Sequence, residues 1–191
     1  ETVTITAGTQ NITTNDATVA DGKTLTVNAS ASSDSVTWDG SAETDGSFVI
    51  TGSQAADTLI GGAAADTLSG GAGDDVVNGK TGADLAYGGA GADTLYGGTG
   101  NDTFFGGTEA DLLSGGAGAD TLDGGIGNDT LSGDDGGGLL LGGAGSDNLQ
   151  GGSGSSTLSG GADDDTLIAG GEADTLDGGI GNDFLVAQGG A

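Results

Sequence analysis

From Gly52 to Val186 an apolar residue returns every nine positions, without insertion or deletion. The series is Leu59, Leu68, Val77, Ala86, Leu95, Phe104, Leu113, Leu122, Leu131, Leu140, Leu149, Leu158, Leu167, Leu176 and Leu185, the eighth position of fifteen consecutive units. The first position is Gly in fourteen units, with Ala169 the exception, and the sixth is Asp in thirteen. A flexible linker has no reason to hold an apolar residue at one phase through fifteen cycles, so the beat predicts a repeat architecture.

Each unit divides into a turn and a strand. Gly pairs permit positive φ and a tight turn. The three residues after the Asp, such as Thr94-Leu95-Tyr96, are β-branched, apolar and aromatic, and read as a short strand. Side chains alternate along a strand, so Leu95 points in while Thr94 and Tyr96 point out. One turn and one strand cannot enclose a core. Two units make a flattened coil of eighteen residues, and stacked coils bury a column of leucines between two parallel sheets.

Residues 1–51 lie outside the beat. TVTIT, KTLTV, SVTW and SFVIT alternate or are β-rich, with turn signals at Asp21-Gly22, Asp39-Gly40 and Asp45-Gly46. They predict a β-rich cap, or the end of a preceding β domain, shielding the first coil's open edge. Trp38, the only Trp, is assigned to a small core there, with sugar stacking as the alternative. The expected organisation is therefore 1–51 cap, 52–186 repeats and 187–191 a short tail.

Composition narrows the chemistry. Gly supplies 45 of 191 residues, and His, Cys, Met and Pro are absent. Asp and Glu number 29 against two lysines, for a net charge of −27. Such a surface repels nucleic acid and anionic membranes and attracts cations. No apolar run approaches the ~20 residues of a membrane span, so no membrane insertion is expected. The chain opens at Glu1 without a basic-then-apolar leader, which suggests a piece of something longer. Without His or Cys there is no Ser-His-Asp set, thiol nucleophile or zinc protease helix, so no enzyme is expected. A carboxylate pair of glycosidase type is the one catalytic alternative.

Stacking the units places like charges in register. Two carboxylates ~4 Å apart repel by about 4 kcal/mol at an effective dielectric near 20. Gly-rich coils are also costly to order, and two leucines per coil do little to offset that. A hard cation between successive turns reverses the sign of the carboxylate interaction. Ca2+ suits carboxylates with turn carbonyls, and transition metals are poorer candidates here.

GGAGADTLY (88–96), GGTGNDTFF (97–105) and GGIGNDTLS (124–132) resemble the G-G-x-G-x-D-x-U-x nonapeptide of RTX ("repeats in toxin") proteins, and the likeness extends over residues 52–186. The resemblance implies an all-β fold, a parallel β-roll (a β-solenoid of eighteen residues per coil), with Ca2+ held between stacked turns by aspartates and main-chain carbonyls. It also implies export by a type I system to the exterior or cell surface of a Gram-negative bacterium. Departures fall at fixed phases. Ala55 and Ala64 replace the fourth-position Gly in the first two units, and Glu109, Asp163 and Glu172 replace it later.

With eighteen residues per coil, alternate units turn on opposite edges. One edge carries Asp57, Asp75, Asp93, Asp111, Asp129, Asp147, Asp165 and Asp183 without a gap. The other carries Asp66, Asp84, Asp102 and Asp120, then Gly138 and Ser156, then Asp174. These thirteen aspartates are the expected metal ligands. Pairs of neighbours predict about ten well-formed Ca2+ sites, seven on the complete edge and three on the other, on the ligand count that Ca2+ demands. Leu139 and Leu141 flank the inward Leu140 beside the gap and should face out with Tyr87 and Phe105. They mark either a decayed repeat or a contact patch for another copy or a neighbouring domain.

The expected function is a Ca2+-binding extracellular structural module, folding after secretion, of a surface-layer or adhesin-type protein. The alternative is the C-terminal secretion and folding module of an exported enzyme or toxin. The chain stops at AQGGA, five residues past the last unit, with no visible secretion signal. An ice-binding solenoid is a third reading, from outward Thr103, Thr121, Thr157 and Thr175, and Leu85 and Leu139 interrupt that file.

Overall fold

The computed structural model describes residues 2–4, 10–13, 19–20 and 22–187. Among the described residues twenty strands, numbered β1 to β20 in chain order, form two ten-stranded parallel sheets. Odd-numbered strands make one sheet and even-numbered strands the other, so the chain crosses between sheets at every turn. This is a parallel β-solenoid.

The register follows the repeat. β10 (Thr94–Thr99) sets Leu95 beside Leu113 on one side and Val77 on the other. In the opposite sheet, β11 (Thr103–Thr108) sets Phe104 between Ala86 and Leu122. Each coil is thus eighteen residues, and every eighth-position side chain meets its equivalents above and below. From Leu59 to Leu167 these side chains are completely buried. Each buried Leu contributes roughly 1.5–3 kcal/mol relative to exposure. Tyr96 is 40% exposed beside fully buried Leu95, as strand alternation requires. The column opens over its last two rungs: Leu176 is half-buried, and Leu185, in edge strand β20 (Phe184–Val186), is 45% exposed.

The segment expected as a cap builds coils of the same two sheets. β1 (Thr2–Thr4) pairs with β3 (Thr24–Asn28), β3 with β5 (Ser47–Thr51), and β5 with β7 (Thr67–Ala72), where the repeats begin. On the other side, β2 (Gln10–Thr13), β4 (Val36–Asp39) and β6 (Thr58–Ile60) pair in sequence. Thr2 stands opposite Thr26 and Thr26 opposite Val49, so these coils take 24 and 23 residues. Trp38 is buried in this part, edge-on to Phe48 with ring centroids 5.2 Å apart, which settles its core role. The AQGGA tail lies outside the described residues beyond Ala187.

Candidate metal centre

The aspartates of the repeat hold the coils together. The backbone N–H of each donates to Oδ1 of the Asp one coil further on. On the complete edge the bonds run Asp57 to Asp75, Asp75 to Asp93, Asp93 to Asp111, Asp111 to Asp129, Asp129 to Asp147 and Asp147 to Asp165, at 2.7–2.8 Å. Asp165 to Asp183 closes the series at 3.1 Å. On the other edge Asp66, Asp84 and Asp102 donate in the same way to Asp84, Asp102 and Asp120, at 2.8–2.9 Å. After the gap, Ser156 donates to Asp174 at 2.7 Å. Repeat spacing alone did not disclose this hydrogen-bond ladder, because it depends on how far the coils stand apart.

The second carboxylate oxygen is left over. In Asp75, Asp84, Asp93, Asp102, Asp111, Asp120, Asp129, Asp147 and Asp165, Oδ2 is buried and has no hydrogen-bond partner. A buried, unpaired charged oxygen is strongly unfavourable. It points at the unit's own first Gly. A Cβ on Gly88 would stand 2.3 Å from Asp93 Oδ2 and 2.6 Å from the Gly106 carbonyl oxygen of the next coil. The missing side chain leaves a small space on which a carboxylate oxygen and a main-chain carbonyl converge, each with a lone pair to offer.

Turn geometry separates these nine from the rest. In their units the second and fourth positions both take positive φ, as at Gly89 (122°) and Gly91 (126°). Glu109 (74°) and Asp163 (80°) adopt the same conformation in spite of their side chains, at a cost of roughly 1–2 kcal/mol each. The units carrying Ala55, Ala64 and Glu172 show no positive φ at these two positions. There the second-position N–H turns onto the aspartate: Ser53 to Asp57 Oδ2 at 2.5 Å, and Gly62 to Asp66 Oδ2 and Gly170 to Asp174 Oδ2 at 2.7 Å. Asp57, Asp66 and Asp174 therefore spend both oxygens on N–H groups, and Asp183 lies at the half-exposed last coil.

Burial raises the carboxyls that carry the unpartnered oxygens. Asp75, Asp84, Asp111 and Asp147 are pushed up to about 7 and Asp93 to about 6. Desolvation is the largest cause, the backbone hydrogen bond opposes it, and neighbouring carboxylates add to it. Asp102, Asp120, Asp129 and Asp165 shift in the same direction for the same leading reason.

At the gap, main-chain pairing replaces the carboxylate. β13 (Ala119–Ile126) and β15 (Gly137–Ala144) extend back into the turn, setting Ala119 beside Gly137 and Asp120 beside Gly138. A Cβ on Gly138 would stand 2.1 Å from the Asp120 carbonyl, so the backbones approach too closely there for any other residue. Asp134 is exposed and accepts from the outward Ser114 Oγ and, at 2.6 Å, Ser132 Oγ. Leu139 and Leu141 flank buried Leu140 and are half-buried. Tyr87 and Phe105 stack at 5.2 Å in the column of Leu141, with Asp123 standing between Phe105 and Leu141.

Among the described residues no three His, Cys, Asp or Glu side chains converge as a metal cluster. A hard cation here would draw on one or two carboxylates together with turn carbonyls and water, a ligand set that Ca2+ accepts.

The architecture and its edges define an acidic parallel β-solenoid with buried carboxylate ladders in its turns. The family model of the RTX calcium-binding nonapeptide repeat matches residues 51–86, 69–104, 78–113, 105–140, 141–176 and 161–191. These overlapping matches run from residue 51 to residue 191, and the chain belongs to this family. No curated protein matches the chain. Among the described residues no helix is long and apolar enough to cross a membrane.

Proposed function

We propose that the chain is an extracellular structural module that folds as calcium binds after secretion, within a surface-layer or adhesin-type protein exported by a Gram-negative bacterium. The observation that carries the proposal is the set of nine buried, unpartnered Oδ2 atoms, one in each regular turn. A cation between turns supplies what these oxygens lack and removes the repulsion along both edges. Asp75, Asp93, Asp111, Asp129, Asp147 and Asp165 serve the complete edge, and Asp84, Asp102 and Asp120 the other. Asp57, Asp66, Asp174 and Asp183 close the rows as turn braces and weaker ligands. Low cytosolic calcium keeps the chain extended for export, and millimolar calcium outside folds it.

The test compares the chain in chelator and in millimolar Ca2+ by circular dichroism and small-angle scattering. β signal and compaction should appear only with calcium. Identical spectra and dimensions in both conditions would refute the proposal.

A further inference from the structure

Glu43 lies outside the nonapeptides, in the turn between β4 and β5, and is completely buried. Its Oε2 accepts the Val19 N–H of the preceding coil at 3.1 Å, and its Oε1 is buried with no hydrogen-bond partner. That is the arrangement of the repeat aspartates: one oxygen braces the coil before, the other is unpaired. The turn carrying Glu43 stacks directly on that of Asp66, through Ala63 N–H to the Glu43 carbonyl at 3.0 Å. Asp66 spends its own oxygens on Phe48 and Gly62, and the charge of Glu43 adds to the upward shift of its carboxyl. At this level of the stack the unsatisfied acceptor has passed from the repeat aspartate to a glutamate that arrives from another point in the turn.

We infer that Glu43 extends the carboxylate row of the second edge one coil upstream of the repeats and holds, beside the Asp66 turn, a divalent cation of the Ca2+ class. The inference rests on the proposal that cations bind between turns. Its own content is that the row begins at Glu43, so residues before the first nonapeptide are locked to the roll by the same ion. The Glu43 and Gly40 carbonyls converge on Gly62, 2.9 and 3.4 Å from where a Cβ would stand, and with the unpaired carboxylate oxygen they make the kind of donor set that a hard cation takes.

Two measurements on the full 191-residue chain test it. The first counts bound Ca2+ by equilibrium dialysis in the unaltered chain and in Glu43→Gln, with Trp38 emission recorded during the titration. The variant should bind one ion fewer and lose the calcium-dependent change at Trp38, while the β signal gained with calcium persists. An unchanged count with an unchanged Trp38 response would overturn the inference.

The second needs no substitution and so holds even if Glu43→Gln unfolds the first coils. In a Ca2+ titration followed by amide NMR, the Val19 resonance should shift along with those of Asp57, Asp75 and Asp84. A stationary Val19 amide beside shifting repeat amides would overturn the role of Glu43 and leave calcium binding by the repeats intact. No shift at any amide would instead defeat the proposed function itself.

Discussion

At the scale of one residue, the sixth-position Asp has two jobs that pull in opposite directions. Its Oδ1 ties one coil to the next, and its Oδ2 is stranded in a dry turn. Asp111→Asn separates them, since the amide oxygen can still accept the Asp93 N–H while the buried charge disappears. In chelator the variant should lie closer to folding than the parent, needing less of a stabilising osmolyte to gain β signal. In calcium it should need about tenfold more Ca2+ at its midpoint, equivalent to about 1.4 kcal/mol. Osmolyte titration in chelator and Ca2+ titration without osmolyte read the two signs, and a higher osmolyte requirement in chelator would contradict this division of labour.

Titration follows the same logic. Asp75, Asp84, Asp93, Asp111 and Asp147 sit at about 6 to 7 in the fold against an ordinary 3.8, so the folded state holds more protons across that window. Metal-free stability must then fall as pH rises through it, and protonation below it supports the fold. In chelator, β signal should grow as pH is lowered from about 8 to about 5. With calcium present the slope should reverse, because protons then compete with the ion for the same oxygens.

At the scale of the element, the leucine column was legible from sequence because it needs only a fixed phase, and Leu59 through Leu167 occupy it. The first coils were not. Thr2, Thr26 and Val49 are equivalent residues separated by 24 and then 23 positions, and unequal steps leave no period to detect. The two-edge assignment of the aspartates was also legible, and the gap at Gly138 and Ser156 proved to be one place in the stack. What spacing could not convey is the division of turns into two states, since that depends on backbone torsions at the second and fourth positions. Ala64 is the cleanest case. Ala64→Gly should let its turn adopt the regular form, release Asp66 Oδ2 from Gly62, and raise the number of bound calcium ions. A calcium count unaltered by the change would show that torsion at this position does not select the turn.

At the scale of the whole molecule, charge and apolar surface set how rolls meet. Leu139 and Leu141 share a sheet face with the stacked Tyr87 and Phe105, while Asp123 interrupts the column with a carboxyl that burial raises. We propose this face as a contact with another copy or a neighbouring domain, formed once calcium has damped the net charge of −27. Leu139→Ser/Leu141→Ser should leave the calcium-dependent β signal in place and lower the mass of any assembly seen by light scattering. A monomer in both proteins, at saturating Ca2+, would make the leucines a decayed repeat and nothing more.

The alternation of sheets has one more consequence, for how such a chain can lengthen or shorten over generations. Each coil of the repeat region spends eighteen residues, nine per edge, and a strand residue is matched to one eighteen places away. Losing or duplicating a whole coil slides the remainder along the axis and leaves every row with its own members. A change of nine residues still closes a turn, but it transposes everything downstream from one edge to the other. The unbroken file of aspartates would then run into Gly138 and Ser156, and the outward aromatic stack would face residues of the opposite sheet. Inheritance of distinct edges therefore works in even counts: the nonapeptide is the unit a reader sees, and the pair is the smallest unit the gene can add or drop without cost.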